Sequence, residues 1–174
     1  MHGFKQIAPT DHFGWHSAYL DCYEILFAGL KDKAQTVLEI GCDGGGGALM
    51  YEDYFKHASI DSVDINPRPD SLIGRKRVWF YQQDAYAINI GDKVPKYDVI
   101  IDDGPHSIES QIFFVENYPK LLTDIGIAIV EDIQKPEYIE RLAKMVPEGF
   151  TSMAIDLRHV NGRYDDMLFC IWRK

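Results

Sequence analysis

Cysteine is scarce, long apolar runs are missing, and positive charge is in short supply. The three cysteines, Cys22, Cys42 and Cys170, are odd in number and far apart. They match neither a disulfide framework nor the paired spacing of a zinc site, so a reducing compartment and hence a cytoplasmic location are expected. No apolar stretch approaches the roughly 18 residues that a membrane-spanning helix needs, so no membrane partner is expected. The opening residues Met1-His2-Gly3-Phe4-Lys5-Gln6 have neither a basic leader nor an apolar centre, so no secretion signal is expected there. Lys and Arg number 18 against 27 Asp and Glu, a net charge of -9. Such a surface repels phosphate backbones, and nucleic acid is not expected as a partner.

The remaining composition is that of a folded domain: 46% hydrophobic and 26% charged residues exclude a disordered or fibrous chain. Repeats, low-complexity tracts and dividing linkers are all missing. One domain over residues 1–174 is therefore expected, with 1–14 a poorly structured leading segment.

Short apolar runs alternate with longer amphipathic ones, the pattern of βαβ units around a parallel sheet. Trp15 to Leu30 reads as a helix, with Tyr19, Tyr23, Leu26, Phe27 and Leu30 near the helical period. Strands are expected at Thr36–Ile40, Ser59–Ile65, Arg77–Gln82, Tyr97–Ile101 and Ile125–Val130. Helices are expected at Ala48–Lys56, at Ile108–Tyr118 behind the cap Ser107, and from Pro136 to about Val146. Phe150–Leu157 and Tyr164–Trp172 are β-rich runs joined by a polar segment with Asn161-Gly162, which reads as a hairpin. The expected fold class is thus α/β and Rossmann-like. Its sheet is mostly parallel and seven-stranded, with a C-terminal antiparallel hairpin and helices on both faces. That hairpin points, by analogy between folds, to the methyltransferase variant.

Chemistry-bearing residues gather where the strands end. In Val37-Leu38-Glu39-Ile40-Gly41-Cys42-Asp43-Gly44-Gly45-Gly46-Gly47 a strand enters a glycine-rich turn that opens a helix, a place where backbone can approach a ligand. A dinucleotide fingerprint would need glycine at 43, where the chain has Asp43. Glu39, Gly41 and Gly45 fit E-x-G-x-x-x-G instead, and a carboxylate inside the strand suits a ligand with an ammonium group. Asp64 ends the second strand, where a carboxylate can accept from ribose hydroxyls. Asp84 follows the third, where an adenine amino group could be read. Asp and Gly are also ordinary turn residues, and each position taken singly has that plain reading.

A second group is Asp102, Asp103 and His106 after the fourth strand, with Glu131 and Asp132 after the fifth. In an open α/β sheet ligands bind outside the carboxyl ends of the strands, and adjacent strands would bring these residues to one crevice. Packed carboxylates repel and call for a counter-ion; all-oxygen donors select a hard cation such as Mg²⁺. His106 could take the proton of a hydroxyl made more acidic by that cation. A bare turn at Asp103-Gly104-Pro105, an ordinary loop histidine and a solvated Glu131-Asp132 pair are the plain alternatives.

These residues resemble a known family. Leu38-Glu39-Ile40-Gly41, Gly45-Gly46-Gly47-Ala48-Leu49-Met50, Asp53-Tyr54-Phe55 and Val63-Asp64-Ile65-Asn66-Pro67 resemble the metal-dependent sugar O-methyltransferases of macrolide biosynthesis. These are the macrocin and mycinamicin type, related to the cephalosporin hydroxylase-like group. Ile101-Asp102-Asp103-Gly104-Pro105-His106 is similar to that family's D-D-G-S-H stretch, with Pro105 in place of Ser. Ile129-Val130-Glu131-Asp132-Ile133-Gln134 is similar to its I-E-D-L-Q stretch. The resemblance covers about residues 10–172.

It implies a class I S-adenosylmethionine-dependent methyltransferase with Asp103, Glu131 and Asp132 holding Mg²⁺ or another divalent cation and His106 as general base. Asp64 would hold the ribose, Asp84 and Ala85 would border the adenine, and Glu39 and Gly41 would line the methionine end with Asp102 nearby. His16, Tyr19 and Tyr23 would help close the cofactor pocket. The acceptor would be a small molecule with a hydroxyl, on a sugar or glycoconjugate. The family's oligomerisation domain has no counterpart in this sequence, which leaves a homo-oligomer open.

A methyltransferase for another acceptor, such as a catechol-like diol, is the alternative within the fold. A nicotinamide-dependent oxidoreductase and a non-catalytic cofactor-binding protein are the alternatives outside that activity. The basic cluster Arg75-Lys76-Arg77 with Arg68 reads as a solvated loop or as a receiver for an anionic acceptor.

Overall fold

The computed structural model describes residues 3–5, 12, 17–87 and 95–174. In chain order it runs α1 (Ala18–Leu26), β1 (Thr36–Ile40), α2 (Gly46–Tyr54), β2 (Ser59–Asp64), β3 (Val78–Gln82), β4 (Tyr97–Asp102), α3 (Ile108–Asn117), β5 (Leu122–Val130), α4 (Pro136–Met145), β6 (Phe150–Asp156), α5 (Arg158–Asn161) and β7 (Met167–Arg173). The strands form one seven-stranded sheet in the order β3-β2-β1-β4-β5-β7-β6. β3, β2, β1, β4 and β5 are parallel, and β7 runs antiparallel between β5 and β6.

The order follows from how apolar each strand is. Every residue of β4, Tyr97-Asp98-Val99-Ile100-Ile101-Asp102, is buried, as a strand covered on both faces requires. β3 and β6 alternate with exposed residues and lie at the two edges. Successive side chains point to opposite faces. Val37, Val99, Ile101 and Ile129 therefore pack with Tyr23 and Phe27 near α1 and with Met50 of α2. Leu38, Ile40, Ile100 and Val130 pack on the other side with Phe114 and Val115 of α3 and Leu142 of α4.

Several boundaries differ from expectation. α1 ends at Leu26, and the chain continues to Ala34 as turns through bonds such as Leu30 N to Phe27 O at 2.8 Å. α2 opens earlier than Ala48, at Gly46, because Gly45 at φ 82° caps it in the left-handed region. β5 begins at Leu122, where the ladder to β4 is irregular: Tyr97 opposes Leu122 while Val99 opposes Ile127. The expected hairpin is present as β6 and β7, and Asn161-Gly162 lies in the segment that joins them. This pair ends the short helix α5, with Gly162 at φ 73° as its left-handed cap.

The basic cluster is solvated, with Arg68, Arg75 and Lys76 exposed and Arg77 half-buried, but its arginines also bond to the chain around them. The Arg77 guanidinium donates to the carbonyls of Phe55 at 2.8 Å and Ala58 at 2.7 Å, sewing the end of α2 to the start of β2. The Arg75 Nε donates to Glu52 Oε2 at 2.7 Å, and Arg68 donates to the Leu72 carbonyl. Lys76 is the member left outside this network.

Of the leading segment, residues 1–2, 6–11 and 13–14 lie outside the described residues, as do Trp15 and His16. Phe4 and His12 are described and buried. Phe4 stacks on Tyr54 with ring centroids 3.9 Å apart. Among the described residues no helix is long and apolar enough to cross a membrane.

At the amino ends of the strands, buried Asp98 accepts from Gln35 N at 2.7 Å and Thr36 N at 3.3 Å with one oxygen, and from Thr123 Oγ1 at 2.8 Å with the other. This carboxylate ties β1, β4 and β5 together at the end of the sheet remote from the glycine-rich turn. Asp98→Ala should orphan those donors and lower the unfolding free energy by about 1–3 kcal/mol in urea titrations. Unchanged stability would show that the tie is incidental.

Candidate active site

The carboxyl ends of the central strands are held level by backbone bonds that extend the parallel ladder past the strands. Gly41 N donates to Val63 O at 2.9 Å, Asp103 N to Ile40 O at 2.8 Å, and Glu131 N to Asp102 O at 3.0 Å. The residues following β1, β4 and β5 thus meet at one edge, above a cavity of about 880 Å³. Its wall runs from Glu39, Gly41 and the glycine turn past Asp64 to Asp84 and Ala85, and returns along Asp103, His106 and α3.

Gly41 sits at φ +88°, and a Cβ there would lie 1.9 Å from the Asp103 carbonyl oxygen. Only glycine permits β1 and β4 to approach so closely at the turn. A Cβ on Gly47 would lie 2.2 Å from Glu39 Oε1, so the start of α2 lies directly on that carboxyl group. Glu39 is buried and accepts from Ser62 Oγ at 2.6 Å. Burial pushes its pKa up to about 8, against the lowering effect of Ser62 and of nearby His12.

Asp64 is oriented by the turn it faces. Its Oδ2 accepts from Cys42 N at 2.8 Å and Asp43 N at 3.1 Å, and its Oδ1 from Asn66 N at 2.8 Å. Partial burial raises its pKa, but the amides of Asn66, Cys42 and Asp43 outweigh that and hold it below the usual carboxylate range. Asp84 is exposed on the cavity wall and accepts from Tyr86 N at 2.9 Å. Ala85 is buried beside it, its carbonyl accepting from Tyr118 Oη at 2.8 Å.

Asp102 stands behind this wall. Its Oδ1 accepts from the hydroxyl of Tyr86, and it is Tyr86 that lines the cavity. Burial pushes the Asp102 pKa up to about 7, with the Tyr86 hydroxyl pulling it down.

The second cluster lies over the tips of β4 and β5. His106 and Asp132 are left-handed at φ 54° and 50°. Such backbone costs a residue with a side chain roughly 1–2 kcal/mol and turns its side chain off the ordinary course of the loop. His106 Nε2 is 3.6 Å from Asp132 Oδ2 and 3.9 Å from Asp103 Oδ1. Ligand atoms of Asp103, His106 and Asp132 all lie within 4.8 Å of one another, and so do those of His12, Asp103 and Glu131. The three carboxylates expected at a metal thus fall into two groups that share Asp103.

Two atoms bound to one small divalent ion lie between about 2.9 and 4.2 Å apart, since each bond is about 2.1 Å. The carboxylates of Asp103, Asp132 and Glu131 gather tightly enough to close on such an ion, with His106 beside it, so the donor set fits a divalent cation. Glu131 and Asp132 are almost fully buried, and α1 supplies their donors: Tyr19 Oη donates to Asp132 Oδ1 at 2.6 Å, and the Tyr23 hydroxyl to Glu131 Oε1. Burial and these carboxylates push both tyrosine pKa values far up, so the hydroxyls remain donors. Gln111 Nε2 on α3 donates to the Glu131 carbonyl at 3.2 Å, fixing the loop from the other face.

Of the residues expected at the site, Glu39, Gly41, Asp64, Asp84, Ala85, Asp103 and His106 lie on one cavity wall. His12, Tyr86 and Gln111 are not expected at the site from the sequence, and Tyr19 and Tyr23 are expected at the cofactor pocket. In the structure these two tyrosines hold the carboxylates. Gln111 could have been suspected as a polar residue on the buried face of α3. His12 and Tyr86 stand in segments without periodicity and give no such signal. His16 lies outside the described residues.

The arrangement, with its strand order and its antiparallel β7, is the class I methyltransferase fold. Among solved structures, the mycinamycin-pathway methyltransferase MycE in complex with Mg and S-adenosylhomocysteine superposes with a TM-score of 0.70 at 18% identity, over 94% of this chain and 52% of that one. By sequence, the chain is related to sugar O-methyltransferases. It is 33% identical over 141 residues to the 8-demethyl-8-alpha-L-rhamnosyl tetracenomycin-C 2'-O-methyltransferase of Streptomyces olivaceus, covering 72% of this chain and 35% of that protein. It is 30% identical over 135 residues to the same organism's 8-demethyl-8-(2-methoxy-alpha-L-rhamnosyl)-tetracenomycin-C 3'-O-methyltransferase, over 71% and 34%. The chain therefore spans about a third of the length of these curated relatives. No family model matches it.

Glu39 yields a pH signature. A carboxyl group whose folded pKa is raised from 4.5 to about 8 favours folding most at low pH, and that contribution is lost as pH climbs from near 4.5 through 8. Glu39→Gln keeps the volume and removes the titration. Melting temperatures of the metal- and ligand-free protein should rise relative to wild type more at pH 8 than at pH 5. An equal shift at both values would place the Glu39 titration elsewhere.

Proposed function

We propose that this domain catalyses S-adenosylmethionine-dependent, divalent-cation-dependent O-methylation of a hydroxyl on a sugar or sugar-containing small molecule. One observation carries the reading: Asp103 and His106, which cluster with buried Asp132, line the same cavity as Glu39, Gly41 and Asp64. The names of the two Streptomyces olivaceus relatives, O-methyltransferases of rhamnosyl tetracenomycins, support the acceptor class.

The cavity residues are ordered as this donor needs. Glu39 and Gly41 take the amino-acid end, with a buried carboxyl group whose charge is favoured once an ammonium group arrives. Asp64, pre-oriented by three amides, takes the ribose, and Asp84 with Ala85 borders the base. Asp103 and Asp132, with Glu131 behind them, would hold Mg²⁺ or a similar cation. When bound, the sulfonium supplies the methyl group, leaving as neutral S-adenosylhomocysteine, and the cation makes the acceptor hydroxyl more acidic.

His106 accepts the hydroxyl proton at Nε2. Its side chain is 27% exposed on the cavity side, near enough to Asp132 for the resulting imidazolium to be stabilised. The α1 tyrosines and Gln111 keep the carboxylates in place, so the chain contributes mainly alignment and a proton acceptor.

With 8-demethyl-8-alpha-L-rhamnosyl tetracenomycin C as a trial acceptor, His106→Ala should lower turnover by about 10²–10⁴-fold while S-adenosylhomocysteine affinity by calorimetry stays within a few-fold. EDTA should stop turnover and added Mg²⁺ restore it. Wild-type turnover in His106→Ala would remove the base from the mechanism, and full activity in EDTA would remove the cation.

A further inference from the structure

Among the described residues two imidazoles face the acidic cluster, and their surroundings differ. His106 is on the cavity wall. His12 is not: it is 2% exposed and lies beneath the cluster, caged by the rings of Tyr19, Tyr23 and Tyr51 with centroids 6.4, 6.3 and 6.5 Å away. Its Nε2 is 3.2 Å from Glu131 Oε2 and 3.5 Å from Glu131 Oε1. The ligand atoms of His12, Asp103 and Glu131 lie within 4.8 Å of one another.

We infer that His12 is a ligand of the divalent cation, supplying a nitrogen donor, and that His106 is thereby left for the acceptor hydroxyl. The inference rests on the cation proposed above and goes beyond the acidic set read from the sequence. His12 Nε2 and Glu131 form a hydrogen-bonded pair at 3.2 Å. An ion that takes the place of the shared proton needs little movement of either, since bonds of about 2.1 Å at right angles place two ligand atoms about 3 Å apart. Burial among three aromatic rings fixes the imidazole, so little rotational freedom is lost on coordination. A ring on the cavity wall must instead stay open to the substrate.

The consequence is a preference among metals. Mg²⁺ favours oxygen and keeps its waters, whereas imidazole suits the later first-row ions, Co²⁺ and Ni²⁺ more than Mn²⁺. A site with carboxylates plus one buried nitrogen should therefore bind Co²⁺ well above Mg²⁺.

The test uses the metal-free full chain, titrated with Co²⁺ and Mg²⁺ by calorimetry, and loaded with Mn²⁺ for pulsed EPR, which detects a directly bound nitrogen. Wild type should bind Co²⁺ more tightly than Mg²⁺ and show nitrogen coupling to Mn²⁺. His12→Ala should lose Co²⁺ affinity by at least the roughly 10–100-fold that loss of even an outer partner costs, lose Mg²⁺ affinity far less, and lose the nitrogen coupling. His12→Gln, which keeps a buried polar side chain, should behave likewise on metals and guards against a folding defect in the alanine variant. His106→Ala should keep the coupling.

Nitrogen coupling that survives in both His12 variants, or that disappears in His106→Ala instead, overturns the inference and leaves the cation site standing. A wild-type protein that binds no divalent ion, indistinguishable from Asp103→Asn, overturns both.

Discussion

The structure depends on keeping the tips of β1, β4 and β5 level. Three backbone bonds past the strand ends, from Gly41, Asp103 and Glu131, set that level. They place Glu39, Asp102, Asp103, Glu131 and Asp132 within one small volume of a chain that is already acidic. Mutual repulsion of such a group works against folding, and the protein offsets it locally. Ser62, Tyr86, Tyr23 and Tyr19 each donate a hydroxyl to one of these carboxylates, while burial holds Glu39 and Asp102 near protonation at neutral pH. A cation and a cationic donor would complete what those hydroxyls begin.

The tyrosines explain why α1 matters to chemistry although it is remote from it in sequence. One face of α1 carries Tyr19 and Tyr23, one turn apart, and each reaches a different carboxylate beyond β5. The same helix face packs on the aromatic group that includes Phe27, Phe55 and the stacked Phe4–Tyr54 pair. Core and site are thus a single packing unit on this side of the sheet.

Much of this was legible in the sequence, for reasons that can be stated. Buried parallel strands are continuous apolar runs bounded by turn residues, so Thr36–Ile40 and Tyr97–Ile101 announce themselves, and strand-end carboxylates mark the crevice. Ser107 was legible as a cap, and it accepts from Ser110 N at 3.1 Å. What escaped depends on distance in space rather than on pattern. His12 has no periodic neighbour, and its place under the cluster is settled by contacts more than a hundred residues along the chain. The basic cluster is solvated as charge runs usually are, but the bonds of Arg75 to Glu52 and of Arg77 to the Phe55 and Ala58 carbonyls could not be read from the run itself. Asp102 reads from its position as a cavity residue, yet its side chain turns inward to Tyr86.

The irregular start of β5 has a consequence of its own. Between the pairs Tyr97–Leu122 and Val99–Ile127 the two strands advance by unequal numbers of residues, and the ladder is regular from there to Val130. The mismatch is absorbed at the amino end, on the far side of the sheet from the carboxylates. Thr123, inside the irregular stretch, is tied to Asp98 at 2.8 Å, so the mismatch is itself held in place. The regular pairs from Val99–Ile127 onward carry the alignment that sets Glu131 beside Asp102, and the rim where chemistry would occur is built without any irregularity of its own.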